Sequence, residues 1–266
     1  MLESVRFINE YTNNFQPEIG IILGSGLGDF AQSFEHIAVP YSEIPDFEKS
    51  TVQGHKGQLV FAEISGKKVV MMQGRFHFYE GHPMSKVVFP VKVMKELGVK
   101  KLIVTNAAGA INTEYRPADL MIITDHINLF PEHPLRGKNF PELGPRFLDM
   151  SEAYSKELVQ KAKLIANRNN IKVVEGVYVG TSGPTFETPA EYRYFRSIGA
   201  DAVGMSTVPE VIVANHAGMR CFGISIITDL GVPGKIVEVT HEEVQQIGNS
   251  VQPLMTLIMR ELIKEI

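Results

Sequence analysis

Sulfur chemistry is nearly absent from this chain. Cys221 is the single cysteine, which excludes an intrachain disulfide and any multi-cysteine metal site. No apolar run reaches the ~18 residues that a bilayer span requires. The opening MLESVRFINEYTNN is mixed and polar, without the apolar centre of a signal peptide. Neither charge sign dominates: 26 basic residues face 30 acidic ones, for a net charge of −4. That balance argues against nucleic acid or an anionic membrane as a main partner, while leaving room for a local anion site. No repeat, charge block or low-complexity linker divides the chain. The expectation is a soluble protein of a reducing compartment, cytoplasmic in location.

Catalytic signatures are missing as well. There is no Gly-x-Ser-x-Gly elbow and no His-Glu-x-x-His zinc motif. His126 and His133 lie in or near a stretch expected as loop, but lack a cysteine or acidic partner at ligand spacing, so no metal is expected. Cys221 reads as a core cysteine at the start of a strand.

What is present is a 266-residue chain, 44% apolar and 21% charged, long enough to bury a core without staples. Apolar runs alternate with amphipathic segments. Strands are expected at 18–23, at 59–64 and 68–72 around the hairpin turn Ser65-Gly66, and at 101–105, 120–124, 172–179, 202–204 and 221–227. Helical patterns fall at roughly 84–97, 151–169, 189–198, 206–218 and 241–264. The alternation predicts one α/β domain over residues 1–266 with a largely parallel or mixed sheet. Thr188-Pro189-Ala190-Glu191 and Thr240-His241-Glu242-Glu243 carry the pattern of a capping box, with proline at the first helical position in the former.

Five clusters sit at strand ends or helix starts, where α/β proteins place their sites. Gly24-Ser25-Gly26-Leu27-Gly28 follows a strand, and its glycines allow backbone N–H groups to approach an anion. It is neither a dinucleotide fingerprint, since Asp29 stands where the third glycine belongs, nor a Walker A loop. A plain tight turn explains it equally well. Gln73 to His82 concentrates Arg75, His77, Tyr79, Glu80 and His82, a density that points to phosphate binding more than to a polar surface loop. Thr105-Asn106-Ala107-Ala108-Gly109-Ala110 combines small residues with an amide that donates and accepts, though tight packing has the same signature. Phe186-Glu187 and Met205-Ser206 precede helix starts, and Ser206 stands where a helix dipole favours an anion. Thr228-Asp229 ends a strand, before a Gly/Pro loop that leads to His241. These residues by themselves support an α/β protein with an anion site.

Met72-Gln73-Gly74-Arg75-Phe76-His77, Val104-Thr105-Asn106-Ala107-Ala108-Gly109, Gly183-Pro184-Thr185-Phe186-Glu187-Thr188 and Gly204-Met205-Ser206-Thr207-Val208-Pro209-Glu210, taken in order, resemble the trimeric purine nucleoside phosphorylases. The wider family also holds the methylthioadenosine phosphorylases. The resemblance covers nearly the whole chain. It implies a single domain with a central, mixed, twisted and partly barrel-like sheet flanked by helices. It also implies phosphorolysis of a purine (deoxy)ribonucleoside to free base and (deoxy)ribose 1-phosphate, as part of purine salvage. The resemblance gives phosphate to Ser25, His55, Arg75, His77, Ala107 and Ser206. Tyr79 and Met205 would bracket the ribose, with His241 at its 5′-hydroxyl. Phe186, Glu187, Asn106 and Asp229 would meet the base. His77, Glu187 and Asp229 are the residues expected to act in catalysis, with Glu80 orienting His77. Phe147 would enter a neighbouring subunit's sugar pocket in a homotrimer. Inorganic phosphate is the co-substrate, and no cofactor or metal is implied.

Asp229 departs from the family pattern. Members that prefer 6-oxopurines usually carry asparagine there, which both donates and accepts, whereas ionised aspartate only accepts. Aspartate suits a 6-amino group unless burial keeps it protonated. Glu187 and His241 pull the other way, toward a 6-oxopurine with a free 5′-hydroxyl. Inosine or guanosine is therefore the expected substrate, and an adenosine- or 5′-methylthioadenosine-accepting phosphorylase is the alternative. A nucleoside hydrolase, or a nucleoside binder without catalysis, would have no use for the phosphate set.

Overall fold

The computed structural model describes residues 1–24, 27–52, 56–238 and 240–266, and for His241 the backbone alone. Ser25, His55 and the His241 side chain thus lie outside the described residues. The helices are α1 (Leu2–Tyr11), α2 (Asp29–Gln32), α3 (Met84–Val87), α4 (Phe89–Glu96), α5 (Lys156–Arg168), α6 (Pro189–Ser197), α7 (Val208–His216) and α8 (His241–Glu265). The strands are β1 (Ile19–Leu23), β2 (His36–Pro40), β3 (Gln58–Ile64), β4 (Lys67–Gln73), β5 (Lys101–Ala110), β6 (Leu120–Asn128), β7 (Val173–Gly180), β8 (Ala202–Gly204) and β9 (Arg220–Leu230).

All nine described strands join one sheet in the order β2-β3-β4-β1-β5-β8-β7-β6-β9, and β9 pairs again with β5. That second pairing closes β5, β8, β7, β6 and β9 into a ring, from which β1, β4, β3 and β2 extend as an open wing. The central β5 serves both parts. One of its edges pairs with β1 over Lys101–Val104 and then with β8 at Gly109 and Ala110, while the other follows β9 throughout. Around the ring, β5–β9, β6–β7 and β7–β8 are parallel while β5–β8 and β6–β9 are antiparallel, so the sheet is mixed and partly barrel-like.

Side chains alternate across the sheet with period two. Ile22, Met72, Val104 and Ile227 face a core layer shared with α4 and α7. Ile21, Met71, Ile103 and Ile226 face the opposite layer, closed by α5 and α8. Burial on both faces accounts for the nearly continuous apolar strands.

The two capping boxes form as expected. Thr188 Oγ1 accepts from the Glu191 N–H, and Thr240 Oγ1 accepts from that of Glu243. Thr188→Ala should cost about 1 kcal/mol, read as a lower denaturant midpoint in equilibrium unfolding. An unchanged midpoint would show that the Glu191 return bond alone holds the start of α6.

Elsewhere the boundaries move for local reasons. The single helix expected over 84–97 breaks at Val88, because Pro90 supplies no N–H to the preceding turn. The expected helix start at 151 is delayed to Lys156, and that at 206 to Val208. Strands β5 and β9 run past their expected ends at 105 and 227, since each is the other's partner as far as Ala110 and Leu230. α1 and β2 were not expected at all. α1 buries only Ser4 and Ile8, and β2 is a half-buried edge strand that ends on proline, so neither carries a strong pattern. His126 belongs to β6 rather than to a loop.

Candidate active site

The C-terminal ends of β4, β5 and β9 converge with β8 on one cleft of about 270 Å³. Arg75, His77 and Ser206 line one part of it, Glu187 and Asp229 another, and Tyr79 and Met205 also reach it. Asn106, Ala107 and Phe186 complete the set of expected residues that the fold brings together. Phe147 is not among the lining residues and is 91% exposed. Val244, in the first turn of α8, reaches the cleft.

Arg75 leaves the end of β4 and is buried. Its Nε and Nη2 donate to the two carboxylate oxygens of Glu210, at 3.1 and 3.2 Å. Nη1 donates to the Thr105 carbonyl at 2.9 Å and to Ser206 Oγ at 3.1 Å. The guanidinium is thus held in one plane by α7 and β5. Glu210 was not singled out from the sequence, yet a signal existed: one acid within the apolar run Val208-Pro209-Glu210-Val211-Ile212 needs a buried cation to pair with.

Ser206 and the start of α7 are joined by a strained turn. Thr207 has φ +73° and ψ −55°, and the Val208 N–H donates back to the Ser206 carbonyl at 2.8 Å. This is a γ-turn with a β-branched residue at its centre, a rare conformation that costs about 1–3 kcal/mol. Asn106 Nδ2 donates to Thr207 Oγ1 at 2.9 Å and holds the turn in place. Asn106, expected at the base, therefore also works as a brace, while its Oδ1 is buried without a hydrogen-bond partner among the described residues. Close approach of β1 to β5 underlies this corner. A Cβ on Gly24 would stand 2.7 Å from the Thr105 carbonyl oxygen and 2.8 Å from Asn106 Cα, both backbone atoms that cannot yield.

His77 is oriented as expected. Glu80 Oε1 accepts from the His77 backbone N–H at 2.7 Å and lies 3.1 Å from its Nδ1. Burial works to raise the Glu80 carboxyl, but hydrogen bonds from His77 and Thr51 outweigh it and bring the pKa down to about 2. Glu80 is therefore a carboxylate, which fixes the proton on Nδ1 of His77 and turns Nε2 into an acceptor. Burial lowers the pKa of His77 itself. The Tyr79 ring stacks on the imidazole at 4.7 Å. The face that Arg75, His77 and Tyr79 would share in an extended chain is replaced by a 3₁₀ turn at Phe78–Glu80.

At the far side, β9 carries an extra residue. Ala108 stands opposite Ile227 but Gly109 stands opposite Asp229, so Thr228 bulges and both it and Asp229 line the cleft. A Cβ on Gly109 would lie 2.7 Å from Asp229 Oδ2, so only glycine leaves the carboxyl its place. Thr228 Oγ1 donates to Asp229 Oδ1 at 2.8 Å. Tyr192, which no sequence pattern distinguished from core, points its hydroxyl at Asp229 Oδ2 at 3.5 Å. Burial raises the pKa of Asp229, with the Thr228 and Tyr192 hydrogen bonds opposing. Burial also pushes Glu187 up to about 7; hydrogen bonds oppose it and the Asp229 charge adds to it.

The cleft therefore has an anion-compatible end and an end bearing two weak acids. Comparison with known proteins shows the family. Residues 18–264 match the family model described as the phosphorylase superfamily. The chain is 57% identical over 237 residues to purine nucleoside phosphorylase 1 of Geobacillus stearothermophilus, covering 89% of this chain and 86% of that protein. It is 52% identical over 250 residues to purine nucleoside phosphorylase 1 of Bacillus subtilis strain 168, covering 94% and 92%. Crystal structures of a Schistosoma mansoni purine nucleoside phosphorylase superpose over the whole chain. The complex with adenosine gives a TM-score of 0.94 at 41% identity and 96% coverage of that chain. The complex with inosine gives 0.93 at 40% identity and 95% coverage. The chain belongs to the phosphorylase superfamily, among its purine nucleoside phosphorylases.

Proposed function

We propose that this chain catalyses the reversible phosphorolysis of purine nucleosides, with inosine or guanosine and their deoxy forms as preferred substrates. The observation that carries the reading is a single cleft with Arg75, His77 and Ser206 at one end and Glu187 and Asp229 at the other. A phosphate fits the first end. Arg75 is fixed and charged, Ser206 supplies a hydroxyl, and the N-terminus of α7 adds its partial positive charge. His77, as an acceptor at Nε2, meets a protonated phosphate oxygen. Ser25, His55 and the Ala107 backbone complete the phosphate set in this reading.

The ribose lies between Tyr79 and Met205, which both approach Gly183, with His241 at its 5′-hydroxyl. The purine rests on Phe186 and presents its polar edge to Glu187 and Asp229, with Asn106 nearby. As the glycosidic bond stretches, the sugar becomes cation-like and the base gains negative charge. Phosphate under the sugar stabilises the first and then attacks it, and a hydrogen bond donated by a protonated Asp229 stabilises the second, while Glu187 accepts from the N1–H. The enzyme contributes position and exclusion of water, not a nucleophile. Inorganic phosphate is the only co-reactant, and no metal or cofactor takes part.

We further assign a homotrimer, in which the exposed Phe147 closes a neighbour's sugar pocket, and a cytoplasmic role in purine salvage. No helix among the described residues is long and apolar enough to cross a membrane. The test is product identity: inosine should be cleaved only when phosphate is present, giving ribose 1-phosphate. Release of free ribose without phosphate would overturn the reading in favour of hydrolysis.

A further inference from the structure

Two carboxyl groups and one phenol meet at the base end of the cleft. Asp229 and Tyr192 are 9% and 5% exposed. The Tyr192 hydroxyl donates to Asp229 at 3.5 Å and stands against Glu187 as well. A phenol has one proton to give, so Tyr192 can satisfy one carboxylate at a time. Both acids also border the recess that Tyr192 and Glu238 line. Two carboxylates so placed repel one another, and burial disfavours ionising both.

The two purine classes ask opposite things of such a pair. A 6-oxopurine presents an N1–H donor and an O6 acceptor, and needs an ionised Glu187 beside a protonated Asp229. A 6-aminopurine presents an N1 acceptor and an N6–H donor, and needs a protonated Glu187 beside an ionised Asp229. Each arrangement contains one proton and one negative charge. We propose that Glu187 and Asp229 share a single proton across the Tyr192 hydroxyl, and that the base decides which carboxyl carries it, so that one pocket holds both classes of purine. The inference rests on the reading in which these two acids face the base.

The exchange balances at the phenol. As Asp229 passes its proton to the Tyr192 oxygen, the original Tyr192 proton passes to Glu187. Two O–H bonds break, on Asp229 and Tyr192, two form, on Tyr192 and Glu187, and the pair keeps one negative charge throughout. Burial raises the pKa of both acids, that of Glu187 to about 7, which favours a proton on the pair. Glu191, at the start of α6, adds a further negative charge toward Glu187. Glu238 borders the recess on the side of the 231–240 loop. At the opposite end of the cleft, the Arg75 charge is matched by Glu210.

The test is the ratio of kcat/KM for adenosine to that for inosine, measured on the full-length enzyme at saturating phosphate. The range from about pH 5.5 to about pH 8 brackets the Glu187 pKa of about 7. Because both substrates draw on the same singly protonated pair, the ratio should stay constant within about twofold while each value falls on the alkaline side. A ratio that climbs about tenfold per pH unit would mean that adenosine needs one proton fewer than inosine, and would overturn the shared proton. Absence of adenosine cleavage at every pH would overturn it too. Asp229→Asn, which cannot carry the negative charge, should lower the ratio about tenfold, the loss of one charge-assisted hydrogen bond. If Asp229→Asn and Glu187→Gln both leave the ratio unmoved, the acids do not face the base, and the underlying reading falls with the proposal.

Discussion

Arg75→Met should raise the KM for phosphate on the order of 10- to 100-fold, the loss of one charge-assisted hydrogen bond at about 1.5–3 kcal/mol. It should also destabilise the fold by about 3–5 kcal/mol, because removing one partner of a buried ion pair leaves the other uncompensated. The structure ties the two effects together. Glu210 Oε1 and Oε2 both lie on Arg75, and Glu210 is 2% exposed, so the single variant strands a carboxylate beside the site proposed for phosphate. Adding Glu210→Leu separates the terms. The double variant should regain most of the lost stability, since an apolar pair of similar volume costs little. It should also lower the phosphate KM part of the way back, because the stranded negative charge is gone. Denaturant unfolding and initial-rate kinetics on both variants read these out. A double variant no more stable than Arg75→Met would mean that the guanidinium holds the site through Thr105 and Ser206 rather than through Glu210.

The same pair marks the limit of what sequence reading reaches. Arg75 stood out because polar and aromatic residues crowd the end of β4, while the acid in α7 was passed over although an apolar run surrounds it. Their partnership was not visible, since 135 positions separate them and only the closed topology brings α7 beneath β4. Local signals did well: both capping boxes form, and the Ser65-Gly66 turn joins β3 and β4 as read. The closed ring came only with the family resemblance, because periodicity along one strand says nothing of a second pairing such as β5 with β9. The γ-turn at Thr207 was invisible for a different reason. A β-branched residue is among the last expected at positive φ, and it is held there by Asn106 from another strand. The bulge at Thr228 is equally silent, although it is what delivers Asp229 to the cleft. Tyr192 offered no pattern either, since an aromatic residue on the inner side of a short helix is ordinarily core.

These silent features share a cost: strain at Thr207 and two acids crowded at one end of the cleft are poor choices for stability alone, as functional sites often are. Glu187→Gln should therefore stabilise the fold at alkaline pH. The Glu187 pKa is raised by burial from 4.5 to about 7, so the native state binds a proton that the unfolded chain has already released. By linkage, stability falls as pH rises through that interval. The contribution is fully present below pH 4.5, and the loss is complete above about pH 7. At 1.36 kcal/mol per pKa unit the loss approaches about 3 kcal/mol, and screening at a half-buried carboxyl brings the expectation to about 1–3 kcal/mol. The glutamine variant has no such charge to desolvate. Its unfolding free energy should exceed that of the parent at pH 8 by that amount and converge with it near pH 4.5. Equal stabilities at both pH values would mean that Glu187 ionises in the native state as readily as in the unfolded one, and the cleft would then hold two carboxylates without a shared proton.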